Sequence, residues 1–351
     1  MKNLSPQFDF DDILIVAKTK THIKSRYKDI QLPQNLPLFT APMDTVVDIN
    51  NFELFMDSKI NVTLPRTIKY NDVVLRDVIH KDVFISFGFN ELDVLYKNNF
   101  NDLYLNAHIL IDVANGHMQK VIDYAREIKR LRPDIVIMAG NIANPKTYEW
   151  YCKNECINYV RVGIGNGGGC LTTKQSGVGY PMASLIHGIY EVKKKFIKDN
   201  PKIKPPAIVA DGGMKDYSDI IKALALGADY VMIGSIFNKA FESCADNYLY
   251  KIKLNKKLAK YFFDKGYPVK KYFRGMSTKQ AQKAMGKSVF KTSEGVVRYR
   301  KVEYYLHSWV ENFEHYLRNA MSYSNAKTLD DFIGNAEICQ ITKSAYDRFN
   351  K

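Results

Sequence analysis

The chain has 351 residues, of which 46% are hydrophobic and 25% charged, so disorder and disulfide scaffolds are excluded. No apolar run of about 18 residues occurs, which excludes a membrane-spanning helix, and we expect no signal peptide. Residues 251–300 hold fifteen Lys and Arg against two acids, nearly the whole net charge of +14. This segment is interpreted as a solvated surface or as a field that attracts phosphorylated small molecules. Nucleic-acid binding is a weaker third interpretation.

Five cysteines are too few and too irregularly spaced for a disulfide framework. They predict a reduced, cytoplasmic protein in which a single cysteine can be chemically active. Cys152 and Cys156 are four residues apart, but no second Cys or His pair lies near them. Ordinary helix packing is therefore favoured over a zinc site.

Short β-branched and aromatic runs recur along the chain, each followed by a helical pattern. Continuous apolar runs that alternate with helices are typical of a parallel sheet covered by helices. Eight such units predict an α/β protein, a closed (β/α)8 TIM barrel. The predicted strands are residues 38–41, 60–64, 83–87, 109–113, 135–139, 159–162, 207–210 and 230–233.

Two barrel helices can be bounded from the sequence. Residues 119–131 place apolar side chains on one face, and Pro133 follows the end of the pattern. Residues 217–226 do the same, and Gly227 is placed to end that helix.

Two insertions interrupt the repeat: a doubled interval after the sixth strand, and a Lys- and Tyr-rich stretch over residues 240–305. We expect one barrel domain over residues 1–351, with 240–305 as a flap insertion after the eighth strand and no regulatory domain. The last barrel helix should begin near His307. Loops after strands carry the chemistry of this architecture, so the insertions are the expected place of the site.

The sixth predicted strand runs into a glycine-rich loop, residues 163–181, with the sequence GIGNGGGCLTTKQSGVGYP. Glycines let successive backbone groups converge on an ion or a phosphate. Cys170 follows this loop at the active end of the barrel and is a candidate nucleophile. The alternative is an inert cysteine in a tight turn. Thr172 and Thr173 beside it favour the catalytic interpretation.

The seventh strand ends in Ala210-Asp211-Gly212-Gly213 and the eighth in Ile233-Gly234-Ser235. Phosphate sites of this fold are often built from these two loops and a helix N-terminus. Asp211 suits a ribose diol, and Gly213, Gly234 and Ser235 suit a phosphate. Ordinary strand-to-helix turns are the alternative, and the presence of both motifs favours a nucleotide site.

Several motifs follow one another in a recognisable order. They are Phe10-Asp11-Asp12-Ile13-Leu14, Ala41-Pro42-Met43-Asp44-Thr45, Asp112-Val113-Ala114-Asn115-Gly116, Met138-Ala139-Gly140-Asn141, the glycine-rich loop, Ala210-Asp211-Gly212-Gly213 and Gly275-Met276-Ser277. From about residue 8 to about 340 the chain resembles the IMP dehydrogenase/GMP reductase family. The resemblance implies a (β/α)8 barrel, usually tetrameric, that acts on a purine nucleotide through a covalent cysteine adduct.

Within that family the chain is more similar to the reductases. It has no regulatory insert, and residues 112–116 and 177–181 have the reductase form, whereas residues 41–44 are closer to the dehydrogenases. The resemblance implies an NADPH-dependent reductive deamination of GMP to IMP and ammonia, through a cysteine thioimidate. A compact IMP dehydrogenase that forms XMP with NAD is an alternative. A catalytically silent purine-nucleotide-binding barrel is another.

The resemblance also implies a role for single residues. Cys170 would attack C2 of the purine, and Thr172 and Glu294 would protonate the departing amine. The carbonyls of Gly165, Gly167 and Cys170 would hold a monovalent cation such as potassium. Ribose, phosphate and base would be held by Asp211, Gly212, Gly213, Gly234, Ser235, Gly275, Met276, Ser277, Lys291 and Gly295. NADPH would be held by Ser25, Arg26, Arg66, Asp112, Val113, Ala114, Ile164, Gly165 and Asn319.

The chain departs from the family pattern in places. Gly168 stands where the family has serine, Gly169 where it has a β-branched residue, and Thr173 where reductases commonly have arginine. Phe290-Lys291 stands where reductases commonly have Tyr-Arg. The dehydrogenases' water-activating Arg-Tyr pair is absent from the residues before Glu294. The sequence therefore favours the reductase direction, in a homotetramer.

Overall fold

The computed structural model describes residues 5–68, 82–103, 106–285 and 297–349. Fourteen strands lie in these ranges. They are β1 (Ile13–Val16), β2 (Leu38–Thr40), β3 (Thr63–Leu64), β4 (Phe84–Phe87), β5 (His108–Asp112), β6 (Val136–Ile142), β7 (Tyr159–Val162), β8 (Ala207–Asp211), β9 (Tyr230–Ile233), β10 (Asn247–Leu249), β11 (Ile252–Leu254), β12 (Lys270–Arg274), β13 (Val297–Lys301) and β14 (Glu337–Gln340).

The α-helices of the same ranges surround and connect these strands. They are α1 (Phe52–Asp57), α2 (Phe89–Lys97), α3 (Gln119–Leu131), α4 (Pro145–Asn154), α5 (Thr172–Ser176), α6 (Met182–Asp199), α7 (Tyr217–Ala225), α8 (Ser235–Asn238), α9 (Lys256–Asp264), α10 (Lys279–Ala284), α11 (Leu306–Tyr323), α12 (Leu329–Phe332) and α13 (Lys343–Phe349). Within the described ranges, no helix is both long and apolar enough to cross a bilayer.

The strands β2 to β9 form one parallel sheet in the order β2-β9-β8-β7-β6-β5-β4-β3. Its two ends meet where Phe39 pairs with Asn61, and the Asn61 backbone makes hydrogen bonds of 2.9 and 3.0 Å there. The sheet therefore closes on itself, and the predicted (β/α)8 barrel is confirmed. Both bounded helices are confirmed as well, and Gly227 follows α7 with a φ of +112°.

Two of the eight predicted strands differ in length from the prediction by two residues or more. The second is only Thr63–Leu64, because the Asn61 side chain donates to the carbonyls of Leu36 and Leu38 and so takes part in closing the sheet. The predicted strand 135–139 corresponds to β6, which continues through Gly140-Asn141 to Ile142. Neither residue favours a strand, so tertiary pairing with β7 overrides the local preference.

Side chains inside the barrel form a small apolar cluster of their own. Phe39, Phe84, Leu110, Met138 and Met232 are all buried there. Phe39 and Phe84 meet edge to face, with ring centroids 5.6 Å apart. A larger apolar layer between the strands and the surrounding helices forms the main core. Side chains fill the interior of the barrel, so a ligand would bind at the loops and not inside.

The stretch 240–305 contains a second sheet, antiparallel, in the order β11-β10-β12-β13. We call these four strands the inserted sheet. Its strands were missed in the sequence because lysines and tyrosines alternate in them without an apolar face. A further pair, β1 with β14, lies outside both sheets and was also not predicted. The last barrel helix begins at Leu306, one residue from the expected position.

Candidate active site

Three chain segments meet at the carboxyl end of the barrel strands. Gly212 has a φ of +86°, and a Cβ placed on it would lie 3.0 Å from the backbone nitrogen of Gly167. A Cβ on Gly169 would lie 3.3 Å from Gly275. Only glycines allow such close backbone approach. The glycine-rich loop, the β8 end and the segment after β12, each predicted separately, are thus packed against one another.

Cys170 lies in this junction with a half-buried side chain. Its Sγ is 3.2 Å from the Oγ1 of Thr172, the first residue of α5, and its N–H donates to the Gly167 carbonyl at 2.9 Å. The other cysteines have different surroundings: burial raises the pKa of Cys152 to about 12 and raises that of Cys244 further. Cys170 is the thiol that combines partial exposure with a neighbouring hydroxyl at the strand ends.

A buried ion network underlies this junction. Arg161, on β7, donates to Asp112 at 2.6 Å and to Asp211 at 2.8 Å. Burial alone would lower the pKa of Arg161, but the two carboxylates outweigh it and raise that pKa. Asn141 also donates to Asp211, at 2.7 Å. The predicted ribose residue Asp211 and the predicted cofactor residue Asp112 are therefore held by one arginine.

The loop after β2 supports the same region from the other side. Asp44 and Arg274 form an ion pair with both side chains largely buried. Arg274 ends β12, so the pair fixes the strand that leads into Gly275-Met276-Ser277. The Oγ1 of Thr278 then donates to the Gly275 carbonyl at 2.9 Å and caps α10.

The predicted phosphate residues lie next to the glycine-rich loop. A Cβ on Gly234 would lie 2.8 Å from the Sδ of Met43, so the loop after β9 abuts the loop after β2. Ser235 begins the short helix α8. A Cβ on Gly168 would lie 3.9 Å from the Ser235 Oγ. Gly168, where the resembled family has serine, therefore faces the predicted phosphate residues.

The predicted cofactor residues fall into two groups. In the first, Arg66 follows β3 and donates to Glu91 at 3.0 Å, and Asp112 ends β5. Val113 and Ala114 follow Asp112 directly, and Ile164 and Gly165 follow β7. These residues all lie at the carboxyl ends of the barrel strands, as Cys170 does.

The second group lies elsewhere in the chain. Arg26 donates to Asn319 at 2.8 Å, and Ser25 accepts from Lys28. Asn319 is thirteen residues into α11, so roughly 20 Å along it. Gln31, shortly before β2, donates to Lys327, which places this group toward the amino ends of the strands. Among the described residues, no hydrogen bond links Arg26 or Asn319 to the loops around Cys170.

Three predicted residues, Lys291, Glu294 and Gly295, lie outside the described residues. Sequence reasoning missed Arg161 and Arg274. An arginine inside an otherwise apolar strand was a usable signal for the first, because a buried guanidinium needs carboxylates nearby. The Asp44–Arg274 pair joins residues 230 positions apart and left no local signal. Among the described residues, no group of three His, Cys, Asp or Glu side chains is arranged to hold a metal ion.

These features define a class: a (β/α)8 barrel with a cysteine-bearing glycine loop and an acidic strand end beside it. A family model described as IMP dehydrogenase / GMP reductase domain matches residues 105–348. The chain belongs to this family.

Several relatives are similar over nearly the whole chain. A GMP reductase of Caenorhabditis elegans is 27% identical over 375 aligned positions, covering 98% of this chain and 94% of the relative. One of Onchocerca volvulus is 27% identical and covers 98% and 93%. An inosine-5'-monophosphate dehydrogenase of Chlorobaculum tepidum is 40% identical over 142 residues, 40% of this chain and 27% of the relative.

Proposed function

We propose that this protein is a GMP reductase that converts GMP to IMP and ammonia with NADPH. The observation that carries the proposal is the half-buried Cys170 thiol, 3.2 Å from the Thr172 hydroxyl, in the glycine-rich loop packed on Gly212 and Gly275. The relatives that cover almost the full chain are named GMP reductases, whereas the dehydrogenase match covers less than half of it. The coverage of these relatives supports the reductase over the compact dehydrogenase.

In the proposed reaction the Cys170 sulfur attacks C2 of guanine and forms a C–S bond. The exocyclic amine takes up a proton and leaves as ammonia, which yields a thioimidate. A nicotinamide cofactor held by the strand-end residues around Asp112 would supply the hydride equivalent that reduction at C2 requires. Cys170 would then leave C2 as a thiolate, and IMP would be released. An amine is a poor leaving group unless it is protonated, so a donor must stand beside C2.

Thr172 is the proposed donor, because its hydroxyl lies next to the attacking sulfur. Glu294 is assigned the partner role on the family resemblance. Asp211 is proposed to hold the ribose: its Oδ2 already accepts from Arg161 and Asn141, which leaves Oδ1 for a hydroxyl. With its carboxylate fixed in this way, the sugar would be positioned without reorganisation of the protein.

The residues at the strand ends fit a nicotinamide cofactor. Ala114, two residues after Asp112, is exposed, and the Arg66 Nε is buried with no partner among the described residues. For the cation, the Gly165 carbonyl accepts no backbone hydrogen bond from the described residues, whereas the Gly167 carbonyl accepts the Cys170 N–H at 2.9 Å. Backbone carbonyls are ligands that potassium takes in proteins. The cytoplasmic location and the homotetramer are part of the same proposal.

The test is a pair of incubations with product analysis. GMP with NADPH should give equal amounts of IMP and ammonia, and IMP with NAD should give no sustained formation of XMP. NADH in place of NADPH measures the cofactor preference. XMP formation without GMP-dependent oxidation of NADPH would make the protein a compact dehydrogenase. Nucleotide binding without turnover in either tube would make it a silent barrel.

A further inference from the structure

The inserted sheet brings a cation to the glycine-rich loop. Arg300 lies on β13, and its Nη2 would be 3.2 Å from a Cβ placed on Gly168. The same Cβ would be 3.9 Å from the Ser235 Oγ. Gly168 therefore lies between Arg300, which belongs to the inserted sheet, and the start of α8, which belongs to the barrel.

The guanidinium of Arg300 lies over an aromatic ring. Its Cζ lies 4.3 Å from the centre of the Phe273 ring. Lys271 pairs with Arg300 in the register of β12 and β13, so Phe273 and Arg300 are diagonal neighbours on one face. Phe273 is itself buried, and a Cβ placed on Gly169 would lie 3.1 Å from its ring. This stacking preorganises the arginine toward the loop instead of leaving it as a mobile surface charge.

Arg300 forms no ion pair within the described part of the chain, and Glu303 only partly offsets the burial of its charge. No described carboxylate pairs with it, and its Nε is buried without a hydrogen-bond partner. Burial and the neighbouring Arg298 lower the pKa of Arg300, so its environment opposes the cation. A buried donor without a partner calls for a missing acceptor, and an anion bound beside Gly168 would supply one.

We propose that Arg300 binds the phosphate of the nucleotide, together with Ser235 and the backbone of the glycine-rich loop. The inference rests on the proposed function for the identity of the nucleotide. Arginine binds a phosphate dianion through two parallel N–H groups, with geometry that a serine hydroxyl does not offer. Gly168 is part of the proposed phosphate site, because any side chain at this position would compete with the Arg300 guanidinium for space.

The test measures equilibrium binding of GMP, IMP and guanosine to the full-length protein. Arg300→Met keeps the packing on Phe273 and removes the charge. We expect it to weaken binding of GMP and IMP by about 10- to 100-fold and binding of guanosine by less than about twofold. Arg298→Met, an exposed arginine on the same strand, is the matched control and should leave all three affinities within about twofold.

A second pair of variants tests the shared space beside Gly168. Gly168→Ser should weaken GMP binding in the wild-type protein, where its Cβ meets Arg300. In the Arg300→Val background the same serine should strengthen GMP binding, because its hydroxyl then occupies the vacated space. A general loss of folding would not make Gly168→Ser weaken GMP binding in one background and strengthen it in the other.

The outcomes separate this inference from the proposed function. Equal nucleotide binding by wild type and Arg300→Met would overturn the role of Arg300 and leave the reductase reaction standing. Weaker binding of GMP and guanosine alike would also overturn it, since the effect would not depend on the phosphate. If the wild type converts IMP to XMP and not GMP to IMP, the proposed function fails, and the Arg300 role is upheld by weaker IMP binding in the variant.

Discussion

Arg161 of the barrel is held differently from Lys271 and Arg300 of the inserted sheet, whereas Arg274 at the end of β12 is paired with a carboxylate, Asp44, as Arg161 is with two. In the barrel, Arg161 lies between two carboxylates, at 2.6 and 2.8 Å. In the inserted sheet, Lys271 is 1% exposed and, among the residues that the structure describes, donates only to the carbonyls of Ser243 and Ala245. Arg300 stacks on a ring without a described carboxylate partner. A cation paired within the fold is a structural element, whereas an unpaired buried cation lowers stability, and one that borders the site, as Arg300 does, is available to an anionic ligand.

The barrel and the inserted sheet also contribute different chemical groups to the proposed site. The barrel supplies the thiol, the hydroxyl and the ribose carboxylate on loops anchored by its strands, and the inserted sheet supplies charge from outside. Changes in the barrel loops should therefore stop the chemistry, and changes in the inserted sheet should alter affinity, pH dependence and salt dependence. The following predictions are ordered from the largest expected effect to the smallest.

Cys170→Ser should lower GMP-dependent NADPH oxidation by at least about 10³-fold, because the covalent step loses its nucleophile. GMP binding should stay within about twofold, since the phosphate and ribose contacts are kept. Steady-state kinetics and equilibrium binding measure the two quantities. Cys339→Ser, at an exposed cysteine, is the control. Turnover of the Cys170 variant within tenfold of wild type would remove Cys170 from the mechanism.

Thr172→Val should lower kcat by about 10²- to 10⁴-fold with a small change in KM, because the hydroxyl beside the sulfur no longer transfers a proton. Thr172→Ser keeps the hydroxyl and should retain most of the activity. Single-turnover release of ammonia is the measurement. Equal losses in the Val and Ser variants would show that the methyl group matters and the proton transfer does not.

Arg161→Met should lower the free energy of unfolding by about 3–5 kcal/mol, because it leaves Asp112 and Asp211 buried together without a cation. Urea denaturation measures the change. Arg298→Met, the exposed control in the inserted sheet, should stay within about 0.5 kcal/mol. A similar loss in both variants would contradict the distinction between paired and unpaired cations.

Lys271 should make the free energy of unfolding depend on pH in the alkaline range. Burial lowers its pKa to about 8, below the ordinary 10.5 that it regains on unfolding. Between these values the unfolded chain binds the extra proton, so stability rises with pH by up to about 3 kcal/mol.

Lys271→Met should remove this rise, seen as the difference between wild type and variant in urea midpoints from pH 7 to pH 10. The comparison with wild type cancels the titration of tyrosines and cysteines elsewhere. Parallel pH curves for the two proteins would show that Lys271 titrates normally.

Replacing Lys251, Lys256 and Lys257 by glutamine should lower kcat/KM by only a few-fold, and mainly at low salt. All three are exposed, and their field is screened beyond about 8 Å at physiological ionic strength. Kinetics over a series of salt concentrations measure the effect. Lys194 and Lys198, exposed on α6, are the control positions. An identical salt response in both variants would favour the solvated-surface interpretation of the basic segment.

The sequence by itself determined the barrel and the positions of Cys170 and Asp211. Each strand is a continuous apolar run closed by turn residues, and each motif follows the end of its own strand, so both are encoded locally. The same local reasoning bounded α3 to the residue.

Only the tertiary structure decided how charges are paired and which residues share the site. Arg161 meets carboxylates about 50 positions away on either side in the chain, and Arg274 meets Asp44 at 230 positions. The inserted sheet has no apolar periodicity, so nothing local indicated that Arg300 would lie against Gly168. Long-range pairs depend on which loops the closed barrel brings to one end, and a closed barrel exists only after the chain has folded.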